Sequence, residues 1–227
     1  MNVYAVFIDA GYLKAQGAVS LKWKKDVTRL DAQGVVNWCK QLAGTNEKEK
    51  AHWSQTEFLR AYWYDGAFRP DHENYPGQSK YFAALAATPG VQMRLGHITE
   101  QKPSYVSALR DALRRTANGL GIETAQFFQE FDKHWEFRPD RKQKGVDTLI
   151  ALDMVRFAGK QIFDTAVLIS GDQDLAGALQ ATQDLGCRVV IATPSRNSVA
   201  RELRELADEI IDLTESNLKE MLNLKTK

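Results

Sequence analysis

Val3-Tyr4-Ala5-Val6-Phe7-Ile8-Asp9 is a short, nearly unbroken apolar run that ends on an acid. A strand with one wet face would alternate polar and apolar residues. A run without that alternation reads as a strand buried on both faces, as in a parallel sheet with helices on either side. After it, Ala10-Gly11-Tyr12-Leu13 turns toward a helix or loop.

Working outward, the same grammar recurs. Asp31 to Leu42 carries apolar residues near helical spacing, with Asp31 placed as an N-cap. Phe58 to Tyr64 reads as an aromatic strand stopped by Asp65-Gly66, Gln78 to Ala87 as a helix stopped by Pro89-Gly90, and Val91 to Ile98 as a strand. Further on, Val146 to Phe157, Leu175 to Leu185 and Val199 to Asp208 read as helices. They alternate with strands at Ala166 to Ser170, Arg188 to Ala192 and Ile210 to Leu213. Gly186 sits where a helix C-terminus favours glycine. Strands and helices in alternation predict an α/β fold, a doubly wound, mostly parallel sheet flanked by helices. The expected organisation is one domain over residues 1–227, with an insertion at about 100–138 and a C-terminal helix at about 216–224. Inside the insertion, Tyr105 to Thr116 has helical spacing, while the aromatic stretch Phe127 to Phe137 fits a helix or a strand.

Composition narrows the function classes. The formal net charge of +1 does not advertise a nucleic-acid partner, so any such surface must be local. Cys39 and Cys187 stand alone, without the C-x-x-C pair of a thiolate zinc site. The opening strand lacks the layout of a signal peptide, and no apolar run reaches the length of a membrane span. A reduced, cytoplasmic protein with no membrane partner is the expectation.

The chemistry lies in the acids. Asp9 follows the first strand, Asp65 follows Tyr62-Trp63-Tyr64, and Asp172 and Asp174 follow Val167-Leu168-Ile169-Ser170-Gly171. Asp147 opens the helix beginning near Val146. Ligands of an open parallel sheet bind beyond the carboxyl ends of its strands, where acids from separate strands can converge. Clustered carboxylates repel unless a cation neutralises them, and an all-oxygen set suits Mg²⁺ or Mn²⁺. Each acid also has a plainer reading: Asp172 as a helix cap, Asp147 as a partner of the helix dipole, Asp65 as a turn former before Gly66. Several acids at one sheet edge argue against coincident caps. Asp153, with Leu149 and Phe157 one helical turn away on either side, reads as a structural ion pair before it reads as a metal ligand. His52, His72, His97 and His134 all lie outside these segments, so water rather than a side chain is the expected nucleophile.

Two basic stretches complete the inventory. Arg138-Pro139-Asp140-Arg141-Lys142-Gln143-Lys144-Gly145 runs directly into Asp147. Its Arg141, Lys142 and Lys144 are expected either to border the acids and contact phosphates or to form a solvated loop. Lys22-Trp23-Lys24-Lys25 could stack and bind a single strand, though a solvated face accounts for it better.

Phe7-Ile8-Asp9, Tyr62-Trp63-Tyr64-Asp65-Gly66, Lys144-Gly145-Val146-Asp147 and Ser170-Gly171-Asp172-Gln173-Asp174-Leu175, in that order, resemble the NYN domain family of PIN-like nucleases, and within it the LabA-like branch. The resemblance spans roughly Val3 to Leu213. It implies a PIN-like α/β fold and divalent-metal-dependent ribonuclease activity. Asp9, Asp147, Asp172 and Asp174 would be the catalytic and metal-binding acids, Asp65 and Asp153 accessory, Mg²⁺ or Mn²⁺ the cofactor and RNA the substrate. Whether one or two ions bind, and whether the chain forms a homo-oligomer, stays open at this point. The sequence departs from the family in one respect: members often carry asparagine shortly after the first aspartate, where Ala10-Gly11-Tyr12 stands here. Two other readings compete. A haloacid-dehalogenase-like phosphatase would need a second acid at position 11, which is Gly11. A non-catalytic RNA- or partner-binding domain would keep the fold without the cleavage.

Overall fold

Alternate residues of the first strand leave for opposite sides of a sheet, and both sides are dry. The computed structural model describes residues 2–24, 28–42, 53, 56–101, 105–134 and 140–224. In it, β1 (Asn2–Asp9) sends Tyr4, Val6 and Ile8 into one core and Ala5 and Phe7 into another. All five are completely buried. The first core is completed by α1 (Ala10–Ser20), α2 (Ala32–Gln41), α3 (Tyr75–Ala86) and α9 (Glu215–Met221). The second is completed by α6 (Val146–Gly159), α7 (Ala176–Asp184) and α8 (Arg201–Leu206). The result is the three-layer arrangement that an unbroken apolar strand requires.

β1 pairs in parallel with β3 (Thr56–Ala67) on one side and β6 (Thr165–Ile169) on the other. With β4 (Val91–Gln101), β5 (Asp140–Lys144), β7 (Arg188–Thr193) and β8 (Glu209–Asp212) the sheet has seven strands, in the order β5-β4-β3-β1-β6-β7-β8. The chain builds outward from β1 on one side and then on the other. The topological switch point therefore falls between β1 and β6, and the crevice beyond their carboxyl ends is where such sheets bind ligands. A second, two-stranded sheet pairs β2 (Thr28–Leu30) antiparallel with β9 (Leu222–Leu224). There α2 and α9 approach so closely that a β-carbon at Gly34 would strike the Glu220 carbonyl.

The described chain divides into two compact units, residues 1–97 with 144–227, and residues 98–143. The second is built on two amphipathic helices, α4 (Tyr105–Gly119) and α5 (Thr124–His134). Arg110 joins them through a two-pronged pair with Asp132 at 2.8 and 2.9 Å, and its guanidinium lies 4.8 Å from the centre of the Phe128 ring.

Three details differ from the sequence reading. β3 does not stop at Asp65-Gly66 but continues to Ala67, held by β4, so Asp65 faces Leu95 within the strand instead of making a turn. Asp140 to Lys144 is a strand, because an edge of the sheet takes it up. Arg138 and Pro139 of that segment lie outside the described residues, as do Lys25 and Phe137. The final helix ends at Met221, since the next three residues pair with β2, a strand too short to show in the sequence.

Candidate metal centre

Asp9 is the last residue of β1 and the cap of α1. Its Oδ1 accepts the Tyr12 amide at 2.9 Å, and its Oδ2 accepts the Ser170 hydroxyl at 3.3 Å. Ser170 is fully buried at the end of β6, so its hydrogen bond to Asp9 spans the switch point, while the Tyr12 amide caps locally. Burial drives the Asp9 carboxyl up to about 6, against the Tyr12 and Ser170 hydrogen bonds that pull it down; the nearby charges of Asp147 and Asp65 add to the rise.

Asp147 stands in the first turn of α6. Gly145 caps that helix at φ +79°, a left-handed conformation that glycine adopts freely, and so turns the chain from β5 into the helix. The Asp147 carboxyl is also held above its ordinary range, first by desolvation and then by the charges of Asp172 and Asp174. Asp172 and Asp174 belong to the 3₁₀ turn Gln173–Leu175 that leads from β6 to α7. Asp172 caps it by accepting the Asp174 amide at 3.0 Å. Gly171 allows this turn to sit close: a β-carbon there would lie 2.7 Å from Cε2 of Tyr12 and would collide with the Ser198 carbonyl. Electrostatic coupling thus runs from Asp65 through Asp9 and Asp147 to Asp172 and Asp174. The cap reading holds for Asp172, and Asp9 caps α1 as well.

Asp153 is different. It is buried in the middle of α6, where Arg94 reaches its Oδ2 at 2.9 Å, Arg156 reaches its Oδ1 at 2.8 Å, and the Tyr64 hydroxyl donates at 3.1 Å. Two guanidinium groups and a phenol satisfy it, and it ties α6 to β3 and β4. Arg156, three residues along the same helix, was readable from spacing; Arg94 was not. Asp65 binds its neighbouring Gly66 amide at 2.7 Å.

Among the basic residues, Arg141, Lys142 and Lys144 are all exposed, and Arg141 pairs with Glu100 at 2.7 Å. Trp23 packs against the first core while Lys22 and Lys24 face solvent, as a solvated face with an anchored ring requires. Sequence reasoning gave no role to Ser170 or Tyr12. Ser170 was visible inside the Ser-Gly-Asp-x-Asp run; the reach of Tyr12 across the strand ends was not.

The acids suit a hard divalent cation in donor type. All are carboxylates, and no cationic partner joins Asp9, Asp147, Asp172 or Asp174 among the described residues. Also among the described residues, no three His, Cys, Asp or Glu side chains stand close enough to hold an ion together. Asp9 and Asp172 are instead turned to amide and hydroxyl donors, an arrangement that like-charge repulsion favours.

Comparison with known proteins places these features in a family. The NYN domain model matches residues 4–215. Uncharacterized protein y4oD of Sinorhizobium fredii (strain NBRC 101917 / NGR234) is 33% identical over 87 residues, which cover 37% of this chain and 41% of that protein. The crystal structure of VPA0982, a protein of unknown function from Vibrio parahaemolyticus RIMD 2210633, aligns with a TM-score of 0.52 at 15% identity, covering 98% of this chain and 96% of that one. At that identity the likeness is one of fold.

Proposed function

This chain belongs to the NYN domain family, and from that premise we propose that it is a divalent-metal-dependent endoribonuclease whose catalytic and metal-binding acids are Asp9, Asp147, Asp172 and Asp174. The observation that carries the reading is the set of carboxylates at the switch point: Asp9 and Asp147 are raised by burial and by neighbouring acids, and none of the four is paired with a cationic side chain among the described residues. A bound Mg²⁺ or Mn²⁺ would supply a water nucleophile of lowered pKa and neutralise charge developing on the phosphodiester. The protein's own part is to hold the acids: the Tyr12 amide and the Ser170 hydroxyl orient Asp9, Gly145 places Asp147 at the start of α6, and Gly171 lets the Asp172–Asp174 turn approach. Asp65, coupled to Asp9, is an accessory acid in this reading; Asp153 serves to hold α6.

Arg141, Lys142 and Lys144 are the proposed contacts to the nucleic-acid backbone; replacing them should weaken binding across sequences and flatten its salt dependence. The buried, unbridged thiols of Cys39 and Cys187 suit a reducing compartment such as the cytoplasm. Among the described residues no helix is long and apolar enough to cross a membrane.

The test is cleavage of single- and double-stranded RNA, with DNA alongside, in Mn²⁺, Mg²⁺ and EDTA. The expected result is RNA cleavage that EDTA stops and Mn²⁺ restores. Equal cleavage in EDTA overturns the metal mechanism. Binding of RNA without cleavage under either ion moves the chain to the non-catalytic reading.

A further inference from the structure

We propose that Tyr12 is a positioning residue of the metal centre, its hydroxyl fixing the end of β1 against the ends of β6 and β7 so that the strand end bearing Asp9 is held against the loop bearing Asp172 and Asp174. The inference rests on the metal reading of the acids given above. It starts from reach. Through its amide Tyr12 holds Asp9 at 2.9 Å. Its ring covers the space a side chain at position 171 would fill, with Cε2 only 2.7 Å from that β-carbon. Its hydroxyl lies 2.8 Å from Thr193 Oγ1, in the last residue of β7, and 2.7 Å from Ser198 Oγ. One residue therefore touches structure from all three strand ends around the switch point, β1 through its amide and the other two through its side chain.

The far end of the clamp is itself braced. Thr193 Oγ1 donates to the Ser195 carbonyl at 2.8 Å, and Ser198 Oγ donates to the same carbonyl at 2.7 Å. The Ala200 amide binds the Gly171 carbonyl at 3.0 Å, which returns the loop after β7 to the loop that carries Asp172. The contacts from Tyr12 to Thr193 and Ser198, and from those two to Ser195, form a closed ring of three hydroxyls and one carbonyl. With Thr193 and Ser198 both donating to the Ser195 carbonyl, the phenol donates its one proton to one of those hydroxyls and lies against the other, and phenylalanine donates to neither. Removing the hydroxyl opens the ring where α1 meets it and leaves the ring's hydrophobic contact in place. Since α1 begins at Asp9, its cap, the loosened end is the one that bears the acid.

The experiment compares the unmodified chain with Tyr12→Phe, Ser198→Ala and the double variant. Mn²⁺ affinity is read by titration calorimetry, kcat and KM on one RNA, and the fold by circular dichroism. Supporting groups of this kind alter metal affinity or activity by about 10–100-fold when removed. Tyr12→Phe should weaken Mn²⁺ binding about tenfold and lower kcat with little change in KM. The double variant should be no worse than the poorer single one, because both substitutions open the same ring. Should Tyr12→Phe fail to fold, Ser198→Ala alone carries the reading, with the same expected direction. Mn²⁺ affinity and kcat equal to those of the unmodified chain in the folded single variants overturn the proposal and leave the metal reading standing. An unmodified chain that binds no Mn²⁺ overturns the metal reading, and the proposal falls with it.

Discussion

Helix α6 carries two aspartates, Asp147 and Asp153, with opposite surroundings. Asp153 is buried between Arg94 and Arg156 with the Tyr64 hydroxyl in support, and Asp147 at the helix start has Asp172 and Asp174 as its charged neighbours. A buried charge is tolerated when it is paired. Asp153 follows that rule within the folded chain. Asp147 and Asp9 do not, and both are pushed toward their protonated forms. The protein can surround an acid with arginines on this very helix. In the reading proposed above, the acids at the switch point are left without them because a cation from outside is their partner.

Four measurements break or sharpen the contrast, beginning with the largest effect. Asp153→Ala strands Arg94 and the Tyr64 hydroxyl beside a void and should destabilise the fold by about 3–5 kcal/mol, the loss expected when one member of a buried pair is removed. Urea denaturation checks this, and a loss below about 1 kcal/mol would place Asp153 with the unpaired acids. Asp172→Asn keeps the cap on the 3₁₀ turn, since asparagine caps as well as aspartate. It should leave the fold intact while lowering cleavage by about 10²–10³-fold, the scale of a lost electrostatic contact to the transition state. Full activity in this variant would remove Asp172 from the centre.

The third concerns pH. The Asp9 carboxyl ionises at about 6 in the folded chain against an ordinary 3.8. Below about 4 it is protonated folded or unfolded and adds nothing. As pH climbs toward 6 the unfolded chain releases this proton first, so the native state loses stability, and above 6 the penalty is constant. Asp9→Asn should therefore stabilise the metal-free protein at pH 7 by about 3 kcal/mol and have little effect at pH 4, by the conversion of about 1.4 kcal/mol per unit. Thermal melts of both forms from pH 4 to pH 8 read the difference, and parallel curves would contradict it. The smallest effect is at Gly145. Space there is open to a β-carbon, so Gly145→Ala meets only the cost of left-handed backbone and should destabilise by about 1–2 kcal/mol.

The sheet was legible because its strands are dry on both faces, and composition alone then separates strand from loop: β1, β6 and β7 read directly from their apolar runs. Asp31 as a cap was equally plain, and it accepts the Gly34 amide at 2.8 Å. The partial failures share a cause. β2 and β9 are three residues each and exist through pairing with each other, and β5 exists through its place at the sheet edge; none has a pattern of its own. The strand that ran past Asp65-Gly66 shows tertiary pairing overriding a turn signal. For the acids, spacing marked which residues end strands. Which of them would meet an arginine depended on Arg94, brought up by a strand far away in sequence, and no local pattern carries that.

The pairing of β2 with β9 has a consequence for how the molecule is made. Asp31 and Asn223, which meet at this small sheet, are 192 residues apart. At a synthesis rate of about 5–20 residues per second, α2 waits roughly 10–40 s for the segment that will cover it. During that interval the surface that later receives Leu218, Met221 and Leu222 is bare, beside a first core already rich in Val35, Trp38 and Cys39. The nascent chain is therefore open to misassociation on that side of the sheet until α9 and β9 arrive.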